Sequence, residues 1–158
     1  MTTMTKTKER PWSEALAAEL KQEATAAREA RAEVRKSAAT TRRALAAAIT
    51  GWWSTFVAEL RGAVEVLRGE VPGLHDLALV ERAPGSAMVQ CATGSIHVDI
   101  DAEGDLRIRR LVLGSGGTTF VTLTPSPDGI TPAPAVLARE LLTPFARDVG
   151  AWARRTDR

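Results

Sequence analysis

The chain has 158 residues, of which 44% are apolar and 25% charged. That suits one domain with an ordinary core and excludes a disordered or collagen-like chain. The net charge of +2 excludes a polycation, but it is unevenly spread. Residues 1–51 hold ten Lys/Arg and six Glu (10 − 6 = +4), whereas residues 52–158 hold eleven Arg and thirteen acids (11 − 13 = −2). Cys91 is the single cysteine, so no intrachain disulfide or CxxC motif can form. This fits a reducing, cytoplasmic setting.

The opening MTTMTKTKER lacks an apolar h-region and reads as a flexible N-terminus over residues 1–12, not a secretory signal. Pro11 and Ser13 supply a helix start. From there to about Arg68 nearly every residue is a good helix former. Leu20, Ala27, Val34, Thr41 and Ala48 share a heptad stripe with Ala24, Arg31, Ala38, Leu45 and Trp52, a coiled-coil spacing. The seam is thin, because small side chains bury little area each. One continuous helix would be about 84 Å long. A break near Thr50–Gly51 would divide it into a helical arm at 13–50 and an α+β globular domain at 51–158.

Two features of this helix suggest contacts. Leu16, Leu20, Ala27, Val34, Leu45 and Trp52 form a candidate seam for a partner helix. Arg28, Arg31 and Arg35 lie with Arg42 on one face, and Lys36 and Arg43 flank them. Such a stripe can neutralise phosphates in a salt-sensitive, sequence-independent manner; the plainer reading is a solvated face with local ion pairs to Glu29 and Glu33. The uncharged run Ala44–Ala58 is too short and too interrupted to span a bilayer. It reads as a buried helix, with Trp52 and Trp53 diverging by about 100°: one packs on a sheet, the other on the last helix or on another chain. Gly69, Pro72 and Gly73 end the helix.

The middle of the chain alternates like strands. Ala87–Cys91 and Ile96–Ile100 form a hairpin around Thr93–Gly94. A two-residue turn there sets Val89 opposite Val98 and Cys91 opposite Ile96, with Gln90 and His97 on the other face. Ala102–Glu103–Gly104 makes a three-residue loop with Gly104 left-handed. Ile100 then faces Leu106, Val98 faces Ile108, Asp99 faces Arg107 and His97 faces Arg109. Leu111 and Leu113 break parity, which a bulge at Arg109–Arg110 would explain. Flanking strands at about 77–82 and 118–124 complete an antiparallel meander of four to five strands. A proline-rich loop at 125–134 precedes a C-terminal helix that aligns Leu137, Leu141, Phe145, Val149 and Trp152, with a kink expected at Pro144.

No motif carries chemistry. The acidic run Asp99–Asp105 echoes the start of an EF-hand loop, but Arg110 stands where the bidentate Glu belongs and the flanks are strands, not helices. His75, His97 and Cys91 lack metal-ligand spacing. Cys91 and His97 fall on opposite sheet faces, out of reach for proton transfer. Gly114–Gly117 lies between strands and has no helix or Lys after it, unlike a phosphate loop. The sequence therefore suggests an α+β, non-enzymatic adaptor with no cofactor and no membrane span. It would assemble through its helix as a homo-oligomer or with a protein partner. The alternative is nucleic-acid binding through the arginine stripe, and a composite active site shared with another chain would be a third.

Overall fold

The computed structural model describes residues 11–156. The tail expected over residues 1–12 lies outside them apart from Pro11 and Trp12. The chain divides into two compact units, residues 1–43 and 44–158. Helix α1 covers Trp12–Glu70, strands β1–β5 cover Ala78–Ala83, Ser86–Cys91, Gly94–Ile100, Asp105–Val112 and Ser115–Thr122, and helix α2 covers Pro134–Thr156. Between β5 and α2, where a bare loop was expected, β6 (Thr124–Ser126) and β7 (Gly129–Thr131) pair as a small hairpin. The α+β class with a long helix, a five-stranded antiparallel meander and a final helix agrees with the sequence reading.

Helix α1 is not broken at Gly51, and the second unit begins at Ala44. An internal glycine costs a helix about 1 kcal/mol. Here burial of Ile49, Trp52 and Phe56 on either side of it offsets that cost. Thr50 and Thr55 also fold their hydroxyls back, donating to the carbonyls of Ala46 and Gly51. Trp52 and Phe56 stack with centroids 5.0 Å apart, and the Trp52 indole Nε1 donates to Pro132 O at 2.8 Å. Trp52 thus belongs to the domain core and leaves the candidate partner seam. Trp53 stays half-buried beside Phe56.

The sheet order is β1-β2-β3-β4-β5. Its inner face supplies Ala87, Val89, Ile96, Val98, Leu106 and Ile108, which pack on Phe56, Leu60 and Val64 of α1 and on Leu137, Ala138, Leu142, Phe145 and Val149 of α2. Both helices cover this one face. On α2, Leu137, Phe145 and Val149 of the expected stripe are buried and Leu141 packs against the core, Leu142 joins them, and Trp152 at the end of the stripe is 37% exposed.

Three register expectations met different outcomes. The β3–β4 hairpin forms as read, with Ile100↔Leu106, Asp99↔Arg107 and His97↔Arg109 paired and Gly104 at φ 87°. The β2–β3 hairpin is displaced by two residues: Val89 pairs with Ile96 and Cys91 with Gly94, so the turn is Ala92–Thr93. Gly94 lies inside β3, where a Cβ would sit 2.8 Å from Leu111 O and 3.1 Å from Phe145 Cε2. No bulge occurs at Arg109–Arg110. Pairing runs unbroken from Ile100↔Leu106 to Gly94↔Val112, and Arg110, opposite Ile96 on the helix-covered side, forms an ion pair with Asp148 of α2.

The β4–β5 turn is Leu113–Gly114, so Ser115, Gly116 and Gly117 belong to β5 and not to a loop. Both turn residues have positive φ, 53° at Leu113 and 78° at Gly114, the geometry of a type I′ hairpin that favours Asn-Gly. A leucine there is strained by about 1–2 kcal/mol. Its side chain is half exposed, so Leu113→Asn is expected to stabilise the protein by about 1 kcal/mol. Thermal unfolding should then move up by roughly 2–4 °C, and an unchanged or lowered midpoint would count against a strained turn.

Candidate functional site

The candidate residues on α1 divide between the two units. Every described residue of the first unit is exposed. That includes Trp12 at 78%, Leu16 at 43%, Leu20 at 53% and Val34 at 68% exposed, large apolar side chains that water would ordinarily exclude. Ala27 is exposed with them. Leu45 and Trp52, in the second unit, are half-buried and buried. Of the candidate seam, Leu16, Leu20, Ala27 and Val34 are exposed, and Trp12 is exposed one turn before them. Trp12 leads the same i, i+4 row as Leu16 and Leu20, a signal that was legible in the spacing. Thr41, a polar position within the stripe, donates its hydroxyl to Ser37 O at 3.0 Å.

Arg28, Arg31, Arg35, Lys36, Arg42 and Arg43 are all exposed. Among the described residues none of the six forms an ion pair. The expected pairing with Glu29 and Glu33 is not seen among the described residues.

The sheet's outer face holds a cluster of which the sequence places His97, Asp99 and Arg109, but not Ser86. Ser86 Oγ lies 2.9 Å from His97 Nε2 and donates to Asp99 Oδ1 at 2.8 Å. Asp99 Oδ1 is also 3.2 Å from His97 Nε2. Arg109 contacts His97 Nδ1 and approaches Asp99 Oδ2 at 3.5 Å. A guanidinium can only donate, so Nδ1 of a neutral His97 accepts and the proton resides on Nε2. That nitrogen cannot take a proton from Ser86. The acid also sits on the Nε2 side, whereas a nucleophilic triad needs it at Nδ1. The cluster ties three strands together by hydrogen bonds. Its fourth member was readable only after β2 and β3 were placed in register.

The other candidates keep structural roles. Asp101, Glu103 and Asp105 bring carboxylate oxygens within 4.8 Å of one another at the exposed β3–β4 tip. Asp101 Oδ1 accepts from the amides of Glu103 and Asp105, both at 2.9 Å. Asp101 thus ties the turn, while Asp105 Oδ1 accepts from Thr122 of β5 at 2.9 Å. Cys91 packs toward the core, with Sγ 3.5 Å from Thr93 Oγ1, on the sheet face opposite His97. Among the described residues no helix is long and apolar enough to cross a membrane.

Comparison with protein families, with curated proteins and with solved structures finds no match to this chain.

Proposed function

We propose that this is a non-enzymatic assembly protein that associates through the exposed apolar row of α1, with a second copy of itself as the first candidate partner. The observation that carries the reading is the exposure of Trp12, Leu16, Leu20 and Val34 along one helix. A helix of Ala, Arg and Glu gains little from its own contacts, and packing against another helix would stabilise it. The Ser86–His97–Asp99 arrangement, a set of ties between strands, favours a scaffold over a hydrolase. The single free Cys91 suits a reducing compartment such as the cytoplasm.

Light scattering on the full chain tests this reading. A dimer is expected at both low and high salt, because apolar packing is not screened. Leu16→Glu/Leu20→Glu/Val34→Glu is expected to yield a monomer with the same folded domain. A wild type that stays monomeric at all concentrations would sink the proposal.

One observation favours a second reading, nucleic-acid binding: the six basic residues of residues 28–43 lack ion-pair partners among the described residues. Four phosphates neutralised by Arg28, Arg31, Arg35 and Arg42 would give a slope of about −3.6 for log K against log salt on duplex DNA. Fluorescence anisotropy with a labelled duplex reads it. Arg28→Glu/Arg31→Glu/Arg35→Glu should abolish that binding while leaving assembly in place. Wild-type affinity in the triple variant would discard the stripe.

A further inference from the structure

Within the second unit, α1 and α2 leave a groove of about 730 Å³ between them. Its floor and walls are apolar and small: Gly62, Ala63, Leu67, Leu142 and Ala146, with Val66 exposed at one side. A Cβ added at Gly62 would meet nothing within 4 Å, so the space above it is open. Arg139 and Arg147 stand on the α2 rim and Glu59 on the α1 rim, a balance of 2 − 1 = +1. Small residues along two adjacent helices allow a third helix to approach closely, and apolar flooring favours an amphipathic one.

The exposed helix of the first unit contains one stretch that fits by charge and by shape. Residues 12–23 carry Glu14, Glu19 and Glu23 against Lys21, a balance of 1 − 3 = −2. Residues 24–43 carry six basic residues against Glu29 and Glu33, a balance of 6 − 2 = +4, which Arg139 and Arg147 would repel. The acidic stretch also bears the exposed row Trp12, Leu16 and Leu20. Glu19 and Glu23 lie one turn apart, each three residues beyond Leu16 and Leu20, so acid and apolar groups share one side of the helix. Trp12–Glu23 and the α2 wall Ala135–Arg147 each span about 18 Å.

We propose that this groove receives the Trp12–Glu23 helix of a second copy, with Trp12, Leu16 and Leu20 on its floor and Glu19 and Glu23 against Arg139 and Arg147. The proposed dimer is reciprocal: each copy gives one helix and receives one. The inference rests on the assembly reading above and names the surface that reading uses.

Charge exchange tests it, with the dimer dissociation constant of the full chain read by light scattering over a dilution series. Arg139→Glu/Arg147→Glu and, separately, Glu19→Arg/Glu23→Arg should each weaken the dimer at least about tenfold, a loss of about 1.4 kcal/mol. Combining all four substitutions should restore it. Gly62→Phe, at an open helical position, should fill the groove and yield a monomer with unchanged circular dichroism and melting. A wild-type dissociation constant in Arg139→Glu/Arg147→Glu and in Gly62→Phe would overturn the groove and leave assembly by another surface. Failure of the combined variant to recover would overturn the pairing of these charges. A monomeric wild type would overturn both this inference and the assembly reading.

Discussion

Phe56→Ala is expected to lower the unfolding free energy by about 3–5 kcal/mol. Phe56 is fully buried and is the residue on which both neighbouring tryptophans lean, Trp52 at 5.0 Å and Trp53 at 5.6 Å between ring centroids. Its removal opens a cavity in the layer between α1 and the sheet and takes away two aromatic contacts, each worth about 0.5–1.5 kcal/mol beyond burial. Domains of this size have a total stability of about 5–15 kcal/mol, so the variant loses a large share of it. Urea unfolding followed by tryptophan fluorescence gives the midpoint. A shift corresponding to less than about 1 kcal/mol would mean that Phe56 is not central to the core.

Gly94→Val is expected to destabilise by about 1–3 kcal/mol, through overpacking and not through loss of contacts. The side chain would be driven into Leu111 O of β4 and the Phe145 ring of α2, and neither can withdraw easily, since one is ladder backbone and the other is fully buried. Phe145→Leu should relieve part of the clash. The double variant is therefore expected to lose less than the sum of the two single losses, a coupling that denaturant unfolding of all four proteins measures. Strict additivity would place the cost elsewhere.

These two sites show where sequence reasoning ran out. The β3–β4 hairpin was legible because its evidence is local. Gly104 takes the left-handed turn, and alternation on both strands points to a single register. The β2–β3 hairpin lies two residues from the register that a turn at Thr93–Gly94 predicts. The missing Cβ of Gly94 instead makes room for Phe145, on a helix far along the chain, and nothing near Gly94 announces that. Arg110 misled for a related reason. Its parity conflict suggested a shifted strand, whereas the strand keeps its register and the side chain meets Asp148. The glycines at 116 and 117 look like loop and are strand; at Gly116 a Cβ would sit 2.3 Å from Arg110 O.

The candidate site was half legible. The stripe positions and the arginine face follow from helical spacing alone, and Leu16, Leu20, Ala27 and Val34 are exposed. Trp52 could not be separated from them by period, because a core face and a partner seam share the same periodicity. Only the tertiary contacts with Phe56 and Pro132 divide the two. Ser86 meets His97, Asp99 and Arg109 only in the true β2–β3 register. The groove needed both helices in place.

The uninterrupted course of α1 from Trp12 to Glu70 has a consequence for how the first unit becomes ordered. Starting a helix in water is the costly step, with a nucleation parameter of about 10⁻³, whereas adding a residue to an existing helix is nearly neutral for good formers. The packed turns around Phe56 and Leu60 form that nucleus within the folding of the domain. Residues 12–43 then need only propagate from it, one hydrogen bond at a time, toward the N-terminus. In the monomeric Leu16→Glu/Leu20→Glu/Val34→Glu variant, amide hydrogen exchange should therefore be graded along a single element, slowest near Leu60 and progressively faster toward residue 16. Severing the ladder with a proline at Ala47 would abolish the gradient and leave the residues before it to start a helix unaided.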